Sequence, residues 1–241
     1  TIDTSGTGLH KRGYRAEGGE APLKETLAAA MVLLSFWDRD RLLLDPMCGS
    51  GTILIEAAMI GRNMAPGRRR TFASEEWPAV PREAWDSARE EAKATRHQSG
   101  ELNILGYDAD AAAITAARNN ARKAGVGHDI QFEQKDIHNL WIDQQYGILI
   151  SNPPYGRRMS EFHEINAIYI TLNKMLRKKK GWSVYILTAD GKFPGYFKRG
   201  HPNRVRKLYN GNIQVNYYQY HGEKQPREQG TVETVDESIR D

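Results

Sequence analysis

The chain has 241 residues, of which 39% are hydrophobic and 27% are charged, and its formal net charge is +4. These values fit a soluble globular protein that buries a full core in one domain, and they do not require a second. No apolar run approaches the roughly 18 to 20 residues that cross a bilayer, and the sequence shows no signal-peptide pattern. The single cysteine, Cys48, excludes an internal disulfide and favours a cytoplasmic location.

The amino-terminal segment is polar and glycine-rich up to Arg15, which predicts a short hairpin. Its basic residues are expected either to approach a phosphate or carboxylate of a ligand or to lie in a solvated turn, and they are His10, Lys11, Arg12 and Arg15. Residues 23–36 follow with apolar side chains at helical spacing and predict an amphipathic helix.

The stretch from Arg41 to Thr52, R-L-L-L-D-P-M-C-G-S-G-T, predicts a strand, a tight glycine turn and a helix. Three leucines indicate a strand buried on both faces, as in a parallel sheet covered by helices. Pro46 lacks the amide hydrogen of a continuing ladder, and the apolar residues 53–60 form the helix. Such a unit places backbone N–H groups at the carboxyl edge of the sheet, where open α/β folds bind ligands.

Further elements alternate along the chain. Residues 61–82 are rich in Pro, Gly and Arg and predict a long loop, and residues 85–97 predict a charged helix. Residues 102–108 predict a second strand, which ends in an acid. Asp110 then caps a helix that Gly125 stops.

The second half begins with a third predicted strand, residues 129–134, which leads to Asp136. An apolar fourth strand runs directly into Ser151-Asn152-Pro153-Pro154-Tyr155. Residues 161–180 predict a helix and residues 182–187 a fifth strand. Two last strands flank Asn210-Gly211, which is a strong hairpin signal.

The glycine turn and the N-P-P-Y segment together resemble the class I S-adenosylmethionine-dependent methyltransferases that modify exocyclic amino groups. The segment Leu9–Arg15, L-H-K-R-G-Y-R, upstream of Pro22-Leu23-Lys24-Glu25, resembles the RNA guanine-N2 branch of that family. This branch includes bacterial 23S rRNA enzymes and tRNA relatives and is often labelled as DNA adenine methylase. The resemblance implies an α/β fold with a Rossmann-like seven-stranded sheet and a carboxyl-terminal antiparallel hairpin, unlike a nicotinamide dehydrogenase.

The resemblance covers Ile2 to Gly222 and implies a domain organisation. We expect a hairpin or linker over residues 1–20, a methyltransferase domain over 21–222 and a polar, disordered tail over 223–241. The resembled family carries an RNA-binding module before the L-H-K-R-G-Y-R segment. Because the chain begins at Thr1, we expect a catalytic domain without that module.

The resemblance assigns S-adenosylmethionine to the glycine turn, with Asn152 beside it, and the turn residues are Asp45, Pro46, Cys48, Gly49, Ser50, Gly51 and Thr52. Asp108 is expected to accept the hydrogen bonds of the ribose diol, the alternative being a surface turn. Asp136 is expected to accept from the adenine amine, the alternative being a helix N-cap. Cys48 is interpreted as a small turn residue, and the histidines lack ligand spacing with it, so no metal site is predicted.

The amine-binding chemistry is assigned to the second motif. The side-chain carbonyl of Asn152 and the backbone carbonyl of Pro153 can accept both hydrogens of an exocyclic amine and stabilise the charge that develops on nitrogen. Pro153 and Pro154 stiffen the loop, and Tyr155 offers a face for stacking an extruded base. No strong base is needed, so a role for His163 is unnecessary.

The charge distribution favours an RNA partner. Residues 151–210 contain 13 Lys and Arg against 3 Asp and Glu, and Arg157 and Arg158 are candidates for phosphate contacts. The cluster Arg177–Lys180 is equally well explained as a solvated helix end. Arg68–Arg70 could line an RNA channel or lie on a surface loop.

The first hypothesis is therefore an enzyme that methylates guanine N2 in RNA, with 23S rRNA as substrate. The alternatives are a tRNA guanine-N2 enzyme, an adenine-N6 enzyme on DNA or RNA, and a non-catalytic RNA-binding assembly factor. Oligomeric state is not predicted. Every enzymatic alternative requires that the strand tips after Leu44 and Ile150 lie side by side at one edge of the sheet.

Overall fold

A computed structural model describes residues 2–15, 23–155 and 159–226. Its helices are α1 (Glu25–Leu33), α2 (Thr52–Gly61), α3 (Arg82–Ala94), α4 (Ala111–Ala124), α5 (Met159–Leu176) and α6 (Phe193–Phe197). Its strands are β1 (Leu43–Asp45), β2 (Ile104–Asp108), β3 (Gln131–Gln134), β4 (Tyr146–Ser151), β5 (Gly181–Thr188), β6 (Arg204–Asn210) and β7 (Ile213–Tyr220). Among these described residues, no helix is long and apolar enough to cross a membrane.

The strands form one seven-stranded sheet in the order β3-β2-β1-β4-β5-β7-β6. The first five strands of this order are parallel, and β7 runs antiparallel to both of its neighbours, β5 and β6. The strand order reverses between β1 and β4, which is the switch point where open α/β sheets bind ligands. The predicted fold class, a Rossmann-like sheet with a carboxyl-terminal antiparallel hairpin, is confirmed.

Strands β1 and β4 lie side by side. Leu43 pairs with Ile148 and Leu44 with Leu149, in parallel register. The tips after Leu44 and Ile150 therefore emerge at the same edge of the sheet, about one strand spacing of 4.8 Å apart. The geometric condition of the enzymatic hypothesis is met.

The core lies on both faces of the sheet because successive strand residues point to opposite sides. Leu43 and Ile148 belong to a cluster with α1, α2 and α4, whereas Leu44 and Leu149 belong to a cluster with α5 and α6. All four side chains are at most 2% exposed. This two-sided burial is what the run of leucines predicted.

The predicted amino-terminal hairpin is wrong, because residues 2–15 form bends and turns without a strand. The backbone of this segment is satisfied by the long loop instead. The Arg70 guanidinium donates to the carbonyl oxygens of Ser5, Thr7 and Gly8. These three carbonyl groups therefore have hydrogen-bond donors without the strand pairing of a hairpin.

The carboxyl-terminal hairpin is confirmed, but its turn is shifted by one residue. Asn210 pairs with Ile213 and ends β6, so the turn consists of Gly211 and Asn212. Gly211 has φ +62°, in the left-handed region that favours glycine. Asn210 is buried and belongs to the strand.

The helix signals were read correctly at α4. The Asp110 carboxylate accepts from the Ala112 amide at 2.8 Å, and Gly125 ends the helix with φ +79°. The short helix α6 was not predicted, because five residues carry no periodic pattern. Its Phe193 and Phe197 are fully buried beside α5.

Candidate active site

Four polar residues end or closely follow four neighbouring parallel strands at the carboxyl edge of the sheet. In the spatial order β3-β2-β1-β4 they are Asp136, Asp108, Asp45 and Asn152. Adjacent strands lie about 4.8 Å apart, so this row spans roughly three strand spacings, about 14 Å. The fold brings together residues that sequence analysis had assigned to one site.

The turn after β1 is held against β2 by backbone groups. The Cys48 amide donates to the Tyr107 carbonyl at 2.8 Å, and the Gly51 amide donates to the Cys48 carbonyl at 2.9 Å. The Ser50 carbonyl accepts from the Asn120 side chain at 3.1 Å. Every bond uses main-chain atoms of the turn, so its shape depends little on which side chains it carries.

Gly49 and Gly51 serve different purposes. Both have positive φ, +53° and +81°, which favours glycine at each position. A Cβ atom on Gly51 would lie 3.0 Å from Phe132 and 3.1 Å from Ala117, whereas one on Gly49 would meet no atom within 4 Å. Gly51 is therefore needed for helix packing, and the open space over Gly49 is where a ligand can approach the backbone.

Asp108, at the end of β2, ties that strand to the glycine turn after β1. Its Oδ2 accepts from the Gly49 amide at 2.8 Å and its Oδ1 accepts from the Asp110 amide at 3.0 Å. Each carboxylate oxygen keeps further lone pairs, and the side chain is only half-buried. Asp108 can therefore accept further hydrogen bonds from a ligand that lies over Gly49.

Asp136 follows β3 and caps the short 3-10 turn Ile137–Asn139. Its Oδ1 accepts from the His138 amide at 2.8 Å. This is the helix-cap alternative raised by the sequence. Because the second oxygen has no protein donor among the described contacts, the cap and a ligand contact are compatible.

Asp45 and Ser151 connect the tips of β1 and β4. The Ser151 hydroxyl donates to Asp45 Oδ1 at 2.7 Å, and the Met47 amide donates to the same oxygen at 3.1 Å. Asp45 is 1% exposed, and burial raises the pKa of its carboxyl group to about 7 despite these two bonds. Sequence analysis missed Ser151, whose only signal was its place immediately before Asn152.

The amine motif is held by a hydrogen bond between two of its own side chains and by a contact of Tyr155 with Asn210. The Tyr155 hydroxyl donates to Asn152 Oδ1 at 2.6 Å and holds the carboxamide in one orientation. Pro153 is buried and Pro154 is exposed. The Tyr155 ring is half-buried and packs against the core cluster on the α1 and α2 side.

Burial keeps two reactive side chains at this edge protonated. The pKa of Tyr155 is raised to about 12, chiefly by burial. Burial also raises the pKa of the Cys48 thiol well above its usual range, and Asp45 and Asp108 add to this effect. Burial thus favours the thiol over the thiolate form of Cys48 and the hydroxyl form of Tyr155, which can then donate a hydrogen bond.

The L-H-K-R-G-Y-R segment docks on α2 through buried charge, which neither sequence alternative foresaw. Arg12 pairs with Glu56 at 3.4 Å, and the Tyr14 hydroxyl donates to Glu56 at 3.0 Å. Arg15 pairs with Glu25 at 3.7 Å, and it also donates to the Leu23 carbonyl and to the Thr52 hydroxyl of the glycine turn. The sequence did contain one signal of this docking: Glu56 lies inside the otherwise apolar helix α2, and a buried carboxylate needs a partner.

The predicted phosphate contacts have different outcomes. Arg157 and Arg158 lie outside the described residues. The cluster Arg177–Lys180 follows the carboxyl end of α5, where Lys179 donates to the Asp143 carbonyl at 2.9 Å. Since α5 returns from the carboxyl edge to the amino edge, this cluster lies at the end of the sheet opposite the candidate site.

The sheet order, the glycine turn and the amine motif define a class I methyltransferase domain. The family model described as UPF0020, RMKL-like, methyltransferase domain matches residues 12–219. The chain therefore belongs to this RMKL-like methyltransferase family, and the predicted family is confirmed.

Similar proteins agree with this assignment. YpsC of Bacillus subtilis, provisionally named an RNA methyltransferase, is 42% identical over 96% of the chain. The protein named ribosomal RNA large subunit methyltransferase K/L of Syntrophotalea carbinolica is 40% identical over 89% of the chain. The crystal structure of SMU.472 in complex with SAH superposes with a TM-score of 0.87 at 42% identity, and the match covers 93% of the chain and 59% of SMU.472.

The chain spans only part of these relatives. It covers 60% of YpsC and 32% of the Syntrophotalea protein. The family assignment therefore concerns the methyltransferase domain, and the activities of the longer relatives require separate argument.

Proposed function

We propose that this domain transfers a methyl group from S-adenosylmethionine to the exocyclic N2 amine of a guanine in RNA, with 23S rRNA as the substrate. One observation carries the proposal. The Ser151–Asp45 hydrogen bond of 2.7 Å locks the tip of β4 to the tip of β1, so the amine motif stands beside the glycine turn. Methyl transfer requires that the substrate amine be held by acceptor groups directly beside the bound methyl donor.

The glycine turn and the acids beside it fit the donor. Open space over Gly49 admits a ligand to the backbone, and Asp108 and Asp136 retain acceptor capacity for ribose hydroxyls and the adenine amine. Asp45 is only 1% exposed, so we propose that it serves donor binding indirectly, by tying the turn to β4 through Ser151. When bound, S-adenosylmethionine would supply a methyl group carried on a sulfonium. The leaving group is then a neutral thioether, so no acid is needed to protonate it.

The amine motif activates the nucleophile by accepting hydrogen bonds. A carbonyl oxygen has two lone pairs, so Asn152 Oδ1 can accept an amine hydrogen while it still accepts from Tyr155. The Pro153 carbonyl takes the second hydrogen. These acceptors turn the lone pair of the amine towards the methyl group and stabilise the positive charge that grows on nitrogen.

Proton removal needs no dedicated base in this scheme. The methylated, ammonium-like product is acidic and loses its proton to water. Tyr155, with a pKa of about 12, retains its own proton and continues to hold Asn152. The exposed part of its ring is the surface proposed for stacking the target base.

RNA as the substrate is supported by the names of YpsC and the K/L relative, both described as RNA methyltransferases. Residues 151–210 carry 13 basic against 3 acidic side chains, which suits a polyanion and predicts salt-sensitive binding, and nine of the 13 lie outside the distant cluster Arg177–Lys180. Guanine N2 and 23S rRNA come from the L-H-K-R-G-Y-R resemblance. A cytoplasmic location follows from this substrate.

Calorimetry with S-adenosylmethionine tests the enzymatic class. We expect binding of the donor by the unmodified chain. A chain that does not bind S-adenosylmethionine would instead support the RNA-binding assembly factor.

Mass spectrometry tests the substrate. We expect N2-methylguanine to be lost from the 23S rRNA of cells that lack the protein and restored by the wild-type gene. Loss of the same nucleoside from tRNA, or loss of N6-methyladenine, would replace the proposed substrate while the methyltransferase chemistry remained.

A further inference from the structure

A cleft lies between the long loop and helix α3, away from the candidate active site. Its volume is about 600 Å³. Residues 64–72 form one wall, and α3 together with Arg96 forms the other. Methyl transfer as described above makes no use of this cleft.

The rim of the cleft is strongly basic. Of its charged lining residues only Glu90 is acidic, and the basic ones are Arg68, Arg69, Arg89, Lys93 and Arg96. Arg89 pairs with Glu75 at 2.6 Å and Lys93 with Glu90 at 3.4 Å. Within the described part of the chain, no carboxylate pairs with the other three, Arg68, Arg69 and Arg96.

Helix α4 accounts for part of this cluster. Arg68 donates to the Ala124 carbonyl at 2.9 Å and Arg96 to the Gly125 carbonyl at 3.3 Å, at the negative end of the helix. Each guanidinium has five N–H donors, so both arginines keep donors beyond these single bonds. Arg69 takes part in none of the hydrogen bonds or ion pairs formed among residues 2–15, 23–155 and 159–226. Burial and the neighbouring charges of Arg69 and Arg96 lower the pKa of Arg68, which indicates cationic crowding that an anion would relieve.

Aromatic side chains also line the cleft. Phe72 and Trp85 stack with ring centroids 5.3 Å apart and an interplanar angle of 20°, beside the buried Met64. The Trp85 indole N–H is buried and has no acceptor among the described residues. Both the rim and this indole offer donors only, so the ligand must supply acceptors.

We propose that this cleft binds a nucleotide of the RNA substrate other than the methylated one, with a phosphate on Arg68, Arg69 and Arg96 and a base or ribose oxygen at the Trp85 indole N–H. The proposal rests on the proposed function in that RNA is the substrate. It adds a second contact site, which neither the glycine turn nor the amine motif provides.

The two sites are separated by the length of α4. Asp108 precedes the amino end of this helix, and the cleft arginines hold its carboxyl end. A helix of 14 residues is about 21 Å long. An RNA that occupies both sites at once must therefore span at least this distance.

The test measures binding of a labelled single-stranded oligoribonucleotide across a salt series. Arg69→Glu should weaken binding about tenfold and reduce the slope of log affinity against log salt by roughly one. Arg82→Glu is the matched control, because Arg82 is exposed on the same helix-and-loop lobe but does not line the cleft. It should change affinity less than about twofold. Equal losses in the two variants would overturn the proposal.

A second variant separates a nucleotide from a mere anion. Trp85→Phe keeps an aromatic ring but removes the indole donor, and it should weaken binding of the oligoribonucleotide about threefold while leaving competition by inorganic phosphate unchanged. Unaltered RNA affinity in Trp85→Phe would reduce the site to a general anion site and refute the nucleotide assignment. Displacement of the RNA by polyglutamate as readily as by unlabelled RNA would refute it as well.

Donor binding distinguishes this proposal from the methyltransferase proposal. Arg69→Glu should bind S-adenosylmethionine as the wild type does, because the cleft lies at the far end of α4. A wild-type chain that binds RNA through Arg69 but ignores the donor would refute the proposed enzyme and leave the cleft intact. A chain that binds the donor but whose RNA affinity does not depend on Arg69 would refute the cleft proposal and leave the proposed enzyme intact.

Discussion

The turn after β1 and the motif after β4 leave the same edge of the sheet, yet they are held in different ways. The glycine turn is held through its own main-chain groups, which bond to the Tyr107 backbone and to the side chains of Asp108 and Asn120. Side chains hold the motif after β4, through Ser151 on Asp45 and Tyr155 on Asn152.

This difference predicts two kinds of sensitivity. A ligand site made of backbone tolerates side-chain changes elsewhere, so donor affinity should withstand substitutions in the amine motif. A site positioned by side chains loses function when a single atom is removed, because transfer depends on placement within fractions of an ångström. Substitutions on the two sides should therefore separate donor binding from methyl transfer.

The largest expected effect is at Asn152. Asn152→Ala removes the principal acceptor for the amine, and we expect the transfer rate to fall by about a hundredfold or more, as when one preorganised polar group at a reacting centre is lost. Donor affinity, measured by calorimetry, should stay within about twofold of the wild type. Asn212→Ala, in the exposed hairpin turn, serves as the control. Parallel losses of transfer and donor binding in Asn152→Ala would contradict the assigned role.

The next effect concerns the donor side. Asp108→Ala removes the acceptors proposed for the ribose together with the bond to the Gly49 amide, and donor affinity should weaken by roughly tenfold to a hundredfold, or about 1.5 to 3 kcal/mol. Asp110→Ala is a matched control because it removes only the cap of α4. This control should lower the free energy of unfolding by about 1 kcal/mol without changing donor affinity. An Asp108→Ala variant with wild-type donor affinity would remove Asp108 from the site.

A smaller effect is expected at Tyr155. Tyr155→Phe keeps the ring but frees the Asn152 carboxamide, and the loss of one hydrogen bond of about 1 kcal/mol should reduce the transfer rate about fivefold. Single-turnover measurements with saturating RNA isolate this step. Tyr209→Phe, on the exposed edge strand, should leave the rate unchanged. A Tyr155→Phe rate equal to that of the wild type would show that the hydroxyl does not position Asn152.

The last prediction concerns stability and not activity, and it is a pH dependence at Asp45. Its pKa of about 7 lies above the ordinary value of about 3.9, so the folded state holds an extra proton between these values. The free energy of unfolding should therefore fall as pH rises from about 4 to about 7. The Ser151 bond lowers this pKa, whereas the nearby Asp108 charge raises it. The neighbouring Cys48 thiol, whose own pKa is raised, contributes no charge in this range.

Ser151→Ala should raise the pKa of Asp45 and extend the decline to higher pH, with a loss of about 1 kcal/mol in unfolding free energy. Urea denaturation across this pH range measures both quantities. Ser183→Ala removes another buried strand hydroxyl, in β5, and should shift stability without moving the pH profile. Profiles of the two variants that run parallel would show that Ser151 does not act on Asp45.

Local chemistry made much of the fold predictable. The leucine run before Asp45, the cap at Asp110 and the stop at Gly125 each depend on a few neighbouring residues, and the structure confirms all three. Asp108 and Asn152 could be placed at one edge because each ends an apolar strand. The exact hairpin turn at Gly211 was missed by one residue, because burial of Asn210 outweighed its turn preference.

The sequence by itself determined the elements, their order and the chemical identity of the two motifs, since these follow from periodicity and from residues close together in the chain. Only the tertiary structure decided the contacts between distant positions. Ser151 and Asp45 are 106 positions apart, and Arg12 meets Glu56 inside the core. Gly51 is needed because Phe132 and Ala117 press against it. Such pairs depend on strand order and packing, which bring together side chains that no local pattern relates.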